Sequence, residues 1–261
     1  MLRRGPRSTP ALVLVPWLLL ACQSKAKPPL RVAAAADLAR AFTLITPAFA
    51  AHNPVELKLT LGSTGLLARQ IEQGAPFDLF LAANVSYVTQ VVSAGACDGA
   101  TVASYARGRL VIWQKGADAR ELTVASLAAP RFQHIAIANP EHAPYGKAAR
   151  DALTQAGVWD QVVGRVVYGE NVQQALELAA SGNADVAIVS LSLAIGSQQG
   201  SWSWIDEALH APIEQALVVC KHGTNRALAA ELASFLKGPD GRAILKKYGF
   251  LLPGETLAKA P

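Results

Sequence analysis

The chain has 261 residues, of which 51% are apolar and 16% charged, with a formal net charge of +5. That length accommodates two modest domains, and the spread of apolar runs excludes a disordered chain. It contains no block of five like charges and no basic patch interleaved with aromatics, so nucleic acid is not an expected partner.

The first residues read as an export leader. Arg3, Arg4 and Arg7 form a positive region ahead of 11-ALVLVPWLLLA-21, an apolar run too short to span a bilayer comfortably. It ends in 19-LLAC-22, which resembles a bacterial lipobox, although Leu20 is unusual at its position. The resemblance implies a signal peptide over 1–21, lipidation of Cys22 and a polar tether over 22–29. The alternative is an ordinary cleaved signal with a chance cysteine. Several acyl chains would anchor the protein stably to a membrane where one would be marginal. Gln23 and Ser24 lack the aspartate of an inner-membrane retention signal, which leaves either membrane open. Without the three arginines the formal charge falls from +5 to +2, so the basic balance carries little meaning.

From residue 30 onward, strands and helices alternate. The expected order is strand 30–36, helix 37–52 with Asp37 as N-cap, strand 55–62, helix 66–74, strand 78–83 and helix 85–95. A crossover near 104–109 leads to strand 109–115, strand 134–140, helix 145–157, strand 165–169, helix 171–181 and strand 185–191. The Gly/Ser/Trp-rich stretch 196–204 reads as a loop, before strand 213–220 and helices 225–237 and 239–248. Repeated βα units imply an α/β fold with mainly parallel sheets flanked by helices. The pattern occurs twice, which predicts a two-lobed clamshell. Lobe I is assigned to 30–105 plus 215–261 and lobe II to 106–214, with the ligand in the cleft.

Among the other residues, Cys97 and Cys220 are expected to be two buried free thiols, although export permits a disulfide. The histidines are scattered without zinc spacing, so no metal site on the protein and no cofactor is expected. Trp113, Trp159, Trp202 and Trp204 read as packing residues, and Arg69 as a solvated or ion-paired side chain.

Ligands of open α/β sheets bind at the carboxyl ends of the strands. The strand-to-helix turns there are 34-AAADLA-39, 61-LGSTGLLARQ-70, 139-NPEHAPYGKAA-149 and 168-YGENVQQAL-176. Gly62 and Gly65 free the backbone, and Ser63 and Thr64 add hydroxyls that donate without carrying charge. A helix N-terminus offers unpaired N–H groups and the positive end of the dipole, so several converging would hold an anion without Lys or Arg. Taken singly, each turn is equally consistent with ordinary capping. A hydrolase is not expected: 62-GSTG-65 is not a nucleophile elbow, and no triad spacing is present.

The stretches 32-VAAAADLARAF-42, 62-GSTGLLARQIEQGAPFDLFLAA-83, 135-IAIANPEHAPYGKAARDAL-153, 169-GENVQQAL-176 and 244-ILKKYGF-250 resemble the periplasmic molybdate-binding proteins of ABC importers. The resemblance covers about residues 30–252. It implies a non-enzymatic, monomeric, type II-like periplasmic binding protein, in the periplasm or at the cell surface. Molybdate or tungstate would be held by backbone N–H groups and hydroxyls and passed to an ABC permease and its ATPase subunit. Carried over by position, the ligand contacts fall on Asp37, Ser63, Thr64, Tyr145, Val172 and Ser190. Two positions depart from the pattern: Asp37 stands where some relatives have serine, and Ser190 where some have tyrosine, with Ser192 a neighbouring candidate. An ionised carboxylate cannot donate, so the Asp37 N–H is expected to face the ligand while its side chain caps the helix. The departures leave another oxyanion, sulfate or phosphate, as the alternative ligand. A small organic anion, or the ligand-sensing domain of a regulator, is less consistent with the pattern.

Overall fold

The computed structural model describes Met1, residues 28–116, Ala119 and residues 121–255. The leader, Cys22 and most of the expected tether lie outside these residues. The first half contains β1 (Leu30–Ala35), a 3-10 turn (Ala36–Leu38), α1 (Ala39–Ala50), β2 (Leu57–Gly62), α2 (Thr64–Glu72), β3 (Leu79–Ala82), α3 (Val85–Ser93) and β4 (Ala103–Gly108). The second half begins with β5 (Leu110–Lys115), β6 (Ile135–Ala138), α4 (Pro144–Gln155), α5 (Trp159–Val162), β7 (Val166–Gly169) and α6 (Val172–Ser181). It continues with β8 (Val186–Ser190), α7 (Leu191–Ala194) and β9 (Gly200–Trp204), and the chain then returns through β10 (Ile213–Val219), α8 (Arg226–Lys237) and α9 (Pro239–Lys247).

Two five-stranded sheets result, ordered β2-β1-β3-β10-β4 and β7-β6-β8-β5-β9. In each, three βα strands run parallel, and the remaining two add on antiparallel at one edge. The chain passes between sheets twice. Arg109 alone separates β4 from β5, and residues 205–212 separate β9 from β10. This is the two-lobed α/β architecture expected from the sequence.

The burial pattern explains the pairing. β1 is buried at five of its six positions and β3 at all four, as strands covered on both faces must be. On α1, Ala41, Phe42, Ile45 and Phe49 form one buried stripe at helical spacing. They meet Leu232 of α8 and Leu245 of α9 in a core on one face of the first sheet. The other face packs Leu67 and Ile71 of α2 against Val88 and Val91 of α3. The second sheet has its own core around Trp113, Phe132, Ile137, Leu153 and Leu176.

Three expectations change. The crossover region is itself a strand, β4, because it pairs with β10 in the first sheet. The Gly/Ser/Trp stretch is not all loop: β9 pairs with β5, Trp113 opposite Trp202, so the aromatics supply the cross-strand contacts that glycine and serine cannot. Cys97 and Cys220 are not free thiols but a disulfide, which joins the segment after α3 to the end of β10 where the two residues already face each other as an antiparallel bridge.

The disulfide closes a long loop, with 123 residues of sequence separation. Its reduction, or the pair Cys97→Ala and Cys220→Ala, should cost about 2–4 kcal/mol, read as a lower urea midpoint with dithiothreitol than without. An unchanged midpoint would show that the bond constrains nothing.

Candidate functional site

Register places the site. Ala35 at the end of β1 pairs with Gly62 at the end of β2, and Ala138 at the end of β6 pairs with Gly169 at the end of β7. The carboxyl ends of both sets of parallel strands therefore lie level, and the two sets face each other across a small cavity. One wall is Ala35, Ala36, Asp37, Gly62, Ser63, Thr64 and Ala83; the other is Ala143, Pro144, Tyr145, Asn171 and Val172. The volume open to the centre of a water-sized sphere is about 10 Å³, room for one water or one small ion. Among the described residues, none that lines it is Lys or Arg.

Small residues permit this closeness. The run Ala33–Ala36 is buried and brings the strand end to the cavity without side chains in the way. Gly146 lets α4 start against the backbone of Ala138 and Asn139, where a Cβ would collide. Gly65 donates its N–H to the His142 carbonyl across the interlobe gap at 2.9 Å.

The helix starts are left open toward the cavity. Ser63 precedes α2 and Ala143 precedes α4, and neither makes a side-chain cap; Pro144 occupies the first turn of α4, where its missing N–H costs nothing. Asn171 caps α6 by accepting from the N–H groups of Gln173 and Gln174, which leaves that of Val172 uncapped. The N–H groups of Thr64, Tyr145 and Val172 all belong to first turns and lack intrahelical acceptors. Each sits at the positive end of a helix of nine residues or more. The Thr64 hydroxyl accepts from the Ala83 N–H at 3.2 Å, so its own proton is available to the cavity.

Asp37 sits at the centre of a buried polar chain. Its Oδ2 accepts from the Tyr145 hydroxyl at 2.9 Å and from Gln215 Nε2. Gln215 Oε1 in turn accepts from the Tyr105 hydroxyl at 2.6 Å. Asp37 Oδ1 is buried and accepts no hydrogen bond from another side chain among the described residues. Burial is the main reason that the Asp37 carboxyl is pushed up to about 6, against the lowering effect of the bonds from Gln215, Tyr145 and its own backbone N–H. Burial, with the neighbouring carboxyl, also raises Tyr145 well above the usual phenol range, so its hydroxyl remains a donor.

Five of the six sequence-derived site residues line the cavity: Asp37, Ser63, Thr64, Tyr145 and Val172. Ser190 does not. It ends β8 with its hydroxyl 3.1 Å from that of Ser192, and Ser192 donates to the Asp37 carbonyl at 2.7 Å, so both serines brace the Asp37 turn. Asp37 is not a helix cap, because its side chain turns inward to Tyr145 and Gln215. The Ser63 hydroxyl is not a free donor: its single proton goes to the His142 carbonyl at 2.6 Å, and His142 Nδ1 lies 2.8 Å from Ser63 Oγ. Sequence reasoning missed Gln215, Tyr105 and His142 as members of this network. Gln215 falls in alternation with Ile213, Leu217 and Val219, on the apolar side of its strand, which is the one signal it gives, and His142 lies inside the quoted turn of α4.

Comparison with known proteins identifies the fold. Residues 30–251 match the family model of bacterial extracellular solute-binding proteins. The molybdate-binding protein ModA of Rhodobacter capsulatus is 37% identical over 190 residues, 73% of this chain and 75% of that protein. ModA of Azotobacter vinelandii is 32% identical over 235 residues, 89% of this chain and 93% of that protein. The solved structure of the Azotobacter vinelandii periplasmic molybdate-binding protein superposes with a TM-score of 0.80 at 31% identity, over 86% of this chain and 99% of that one. The chain belongs to the bacterial extracellular solute-binding protein family, among its ModA relatives.

Two measurements test the geometry without any ligand. A Cβ at Gly65 would lie 2.8 Å from the His142 carbonyl oxygen. Gly65→Ala should therefore part the lobes at that point, seen as a larger radius of gyration by small-angle scattering and a stability loss of about 1–3 kcal/mol. The second concerns Asp37, whose folded pKa is raised from 3.8 to about 6. Its contribution is fully present below the unfolded value and is lost as pH rises through the folded value. The loss should total roughly 3 kcal/mol between about pH 4 and pH 7. Melting curves of the native protein should lose that increment relative to Asp37→Asn, and parallel curves would contradict it.

Proposed function

We propose that this protein captures molybdate, and tungstate with it, in the interlobe cavity and delivers the anion to an ABC permease driven by an ATPase subunit. The observation that carries the reading is the convergence of helix starts from both lobes on one small, cation-free cavity. Their uncapped N–H groups supply partial positive charge and directed donors to a compact oxyanion. The cavity volume argues against a sugar, a peptide or a larger organic anion.

The donors assigned to the anion are the backbone N–H groups of Asp37, Thr64, Tyr145 and Val172 together with the Thr64 hydroxyl. Ser63 acts through its bonds to His142 rather than as a hydroxyl donor. Because donors come from both lobes, the ligand favours the closed state, and release requires a hinge motion where the chain crosses between sheets at Arg109 and at 205–212. The lobes, taken as 30–105 with 215–261 and as 106–214, move as bodies. The protein acts as a monomer outside the cytoplasm, in the periplasm or at the cell surface, held to the membrane by lipid on Cys22. It performs no catalysis. The buried carboxyl of Asp37 favours one second reading, a receptor for phosphate, whose proton the carboxylate would accept.

Calorimetric titration of the protein from Gln23 onward with molybdate, tungstate, sulfate and phosphate tests this directly. Tight molybdate and tungstate binding without a sulfate response is expected, and a ligand at a thousandfold its Kd should add about 4 kcal/mol of stability. Thr64→Ala and Val172→Pro should each weaken binding roughly ten- to hundredfold, the value of a hydrogen bond to a charged group. Proline is tolerated at the first position of a helix, so Val172→Pro removes the N–H while sparing α6. Silence from all four anions would overturn the reading.

A further inference from the structure

We propose that Asp37 makes anion capture proton-linked: the carboxyl engages the ligand as a neutral acid, donating from Oδ1, so that each oxyanion binds together with one proton. The inference rests on the anion-binding reading and adds to it the identity of one donor and its control by pH.

The geometry of the carboxyl assigns its two oxygens different work. Oδ2 already accepts from the Tyr145 hydroxyl and from Gln215 Nε2. Both are donors held in place, since the Tyr105 hydroxyl fixes the Gln215 amide through Oε1. An oxygen with two donors aimed at it is the poorer place for a proton. Oδ1 is the other oxygen, fully buried and without a partner from another side chain among the described residues, on a residue that lines the cavity. A buried polar atom left unpaired is costly. A proton on Oδ1, given as a hydrogen bond to an oxyanion oxygen, satisfies the acid and the ligand together. An ionised Oδ1 would instead set a carboxylate against a dianion inside a cavity with no Lys or Arg.

Among the described residues no cation holds the carboxylate form against that repulsion; the Gln215, Tyr145 and backbone N–H bonds favour it, and burial outweighs them. The titratable groups facing it are Tyr145 from α4 and Tyr105 from β4, both kept as neutral phenols by burial. β10 contributes the uncharged Gln215, and α7 the Ser192 hydroxyl, which goes to the Asp37 carbonyl. The other elements packed on this turn, β2, α1 and α6, provide no charged group that interacts with the carboxyl among the described residues. The upward shift of the Asp37 carboxyl agrees with this arrangement. His142, on the facing lobe, belongs to the Ser63 pair and is shifted down by burial and by Arg69.

The proton balance is simple. Above the Asp37 pKa of the free site, one proton enters from solvent with the anion; below it, the proton is already on Oδ1 and none is taken up. No bond to the ligand forms or breaks.

The test is calorimetry of the purified protein with tungstate and molybdate from pH 6 to pH 9, repeated in two buffers of different ionisation enthalpy. The expected results are a Kd that rises about tenfold between pH 7 and pH 8 and an uptake near one proton per anion at pH 8. Asp37→Asn keeps a donor at this position and Asp37→Ser supplies a hydroxyl. Each should bind with a Kd independent of pH and take up no proton. Proton counting on the native protein needs no variant, so the inference stands or falls even if both variants fail to fold. A flat Kd with zero uptake in the native protein would overturn this inference alone. A pH dependence that survives Asp37→Asn would overturn it in favour of His142. Phosphate binding without proton uptake, with tungstate silent, would show the carboxylate accepting from the ligand and would overturn it also. Absence of binding by any anion at every pH would sink the anion reading and this inference with it.

Discussion

The proposed anion capture turns on one constraint: a cavity between two lobes has to favour an anion although, among the described residues, no cation lines it. In a low-dielectric interior, a lysine or arginine would need its own partner once the anion had left. Helix starts avoid that problem. Their N–H groups carry only partial charge, and they point along a backbone that the sheets already hold rigid. The level strand ends on either side of the cavity follow from this need. So does the use of alanine and glycine where the helices begin, since larger side chains would hold the N–H groups away from the ligand.

The contrast between helices supports that reasoning. α3, none of whose residues lines the cavity, is closed by a side chain: Asn84 accepts from the Ser86 N–H. The helices that open onto the cavity have either no such cap or, at α6, a cap that spares the leading N–H. A missing cap costs a helix roughly 1 kcal/mol. The same groups left open at a single point on three helices are a stability loss concentrated where a ligand can offset it. The interlobe bonds show the same division of labour. Ser63, Gly65 and His142 join the lobes at one side of the cavity, and Tyr145 with Asp37 joins them at the other. Between these clasps the first-turn donors remain uncommitted.

Much of this was legible from residue order because it rests on local rules. Apolar spacing located the βα units, and Gly62, Gly65, Pro144 and Gly146 marked the turns that carry the donors. What escaped depends on tertiary pairing. β4 carries tyrosine and arginine among small residues and becomes a strand because β10 lies beside it. β9 is rich in glycine and serine and acquires its pairing from β5. The disulfide follows from the return of β10 to the first sheet, which brings Cys220 to Cys97 across a separation that spacing alone cannot interpret. Side-chain commitments were equally hidden. A serine beside a helix start reads as a donor until His142, from the other lobe, is seen to take its proton.

Asp37 and Ser190 are best understood together. This chain carries a carboxyl at 37 and a short hydroxyl at 190, both buried. The phenol beside the carboxyl comes from the opposite lobe, where the Tyr145 hydroxyl donates to Asp37 Oδ2. Gln215 and Tyr105 extend the chain of bonds into the strands that carry the chain from lobe to lobe, β10 and β4. The carboxyl therefore touches the cavity, the facing lobe and the hinge strands at once. A group so placed cannot change protonation without changing the balance among all three. A serine at the same position would offer one hydroxyl to the ligand and no such coupling.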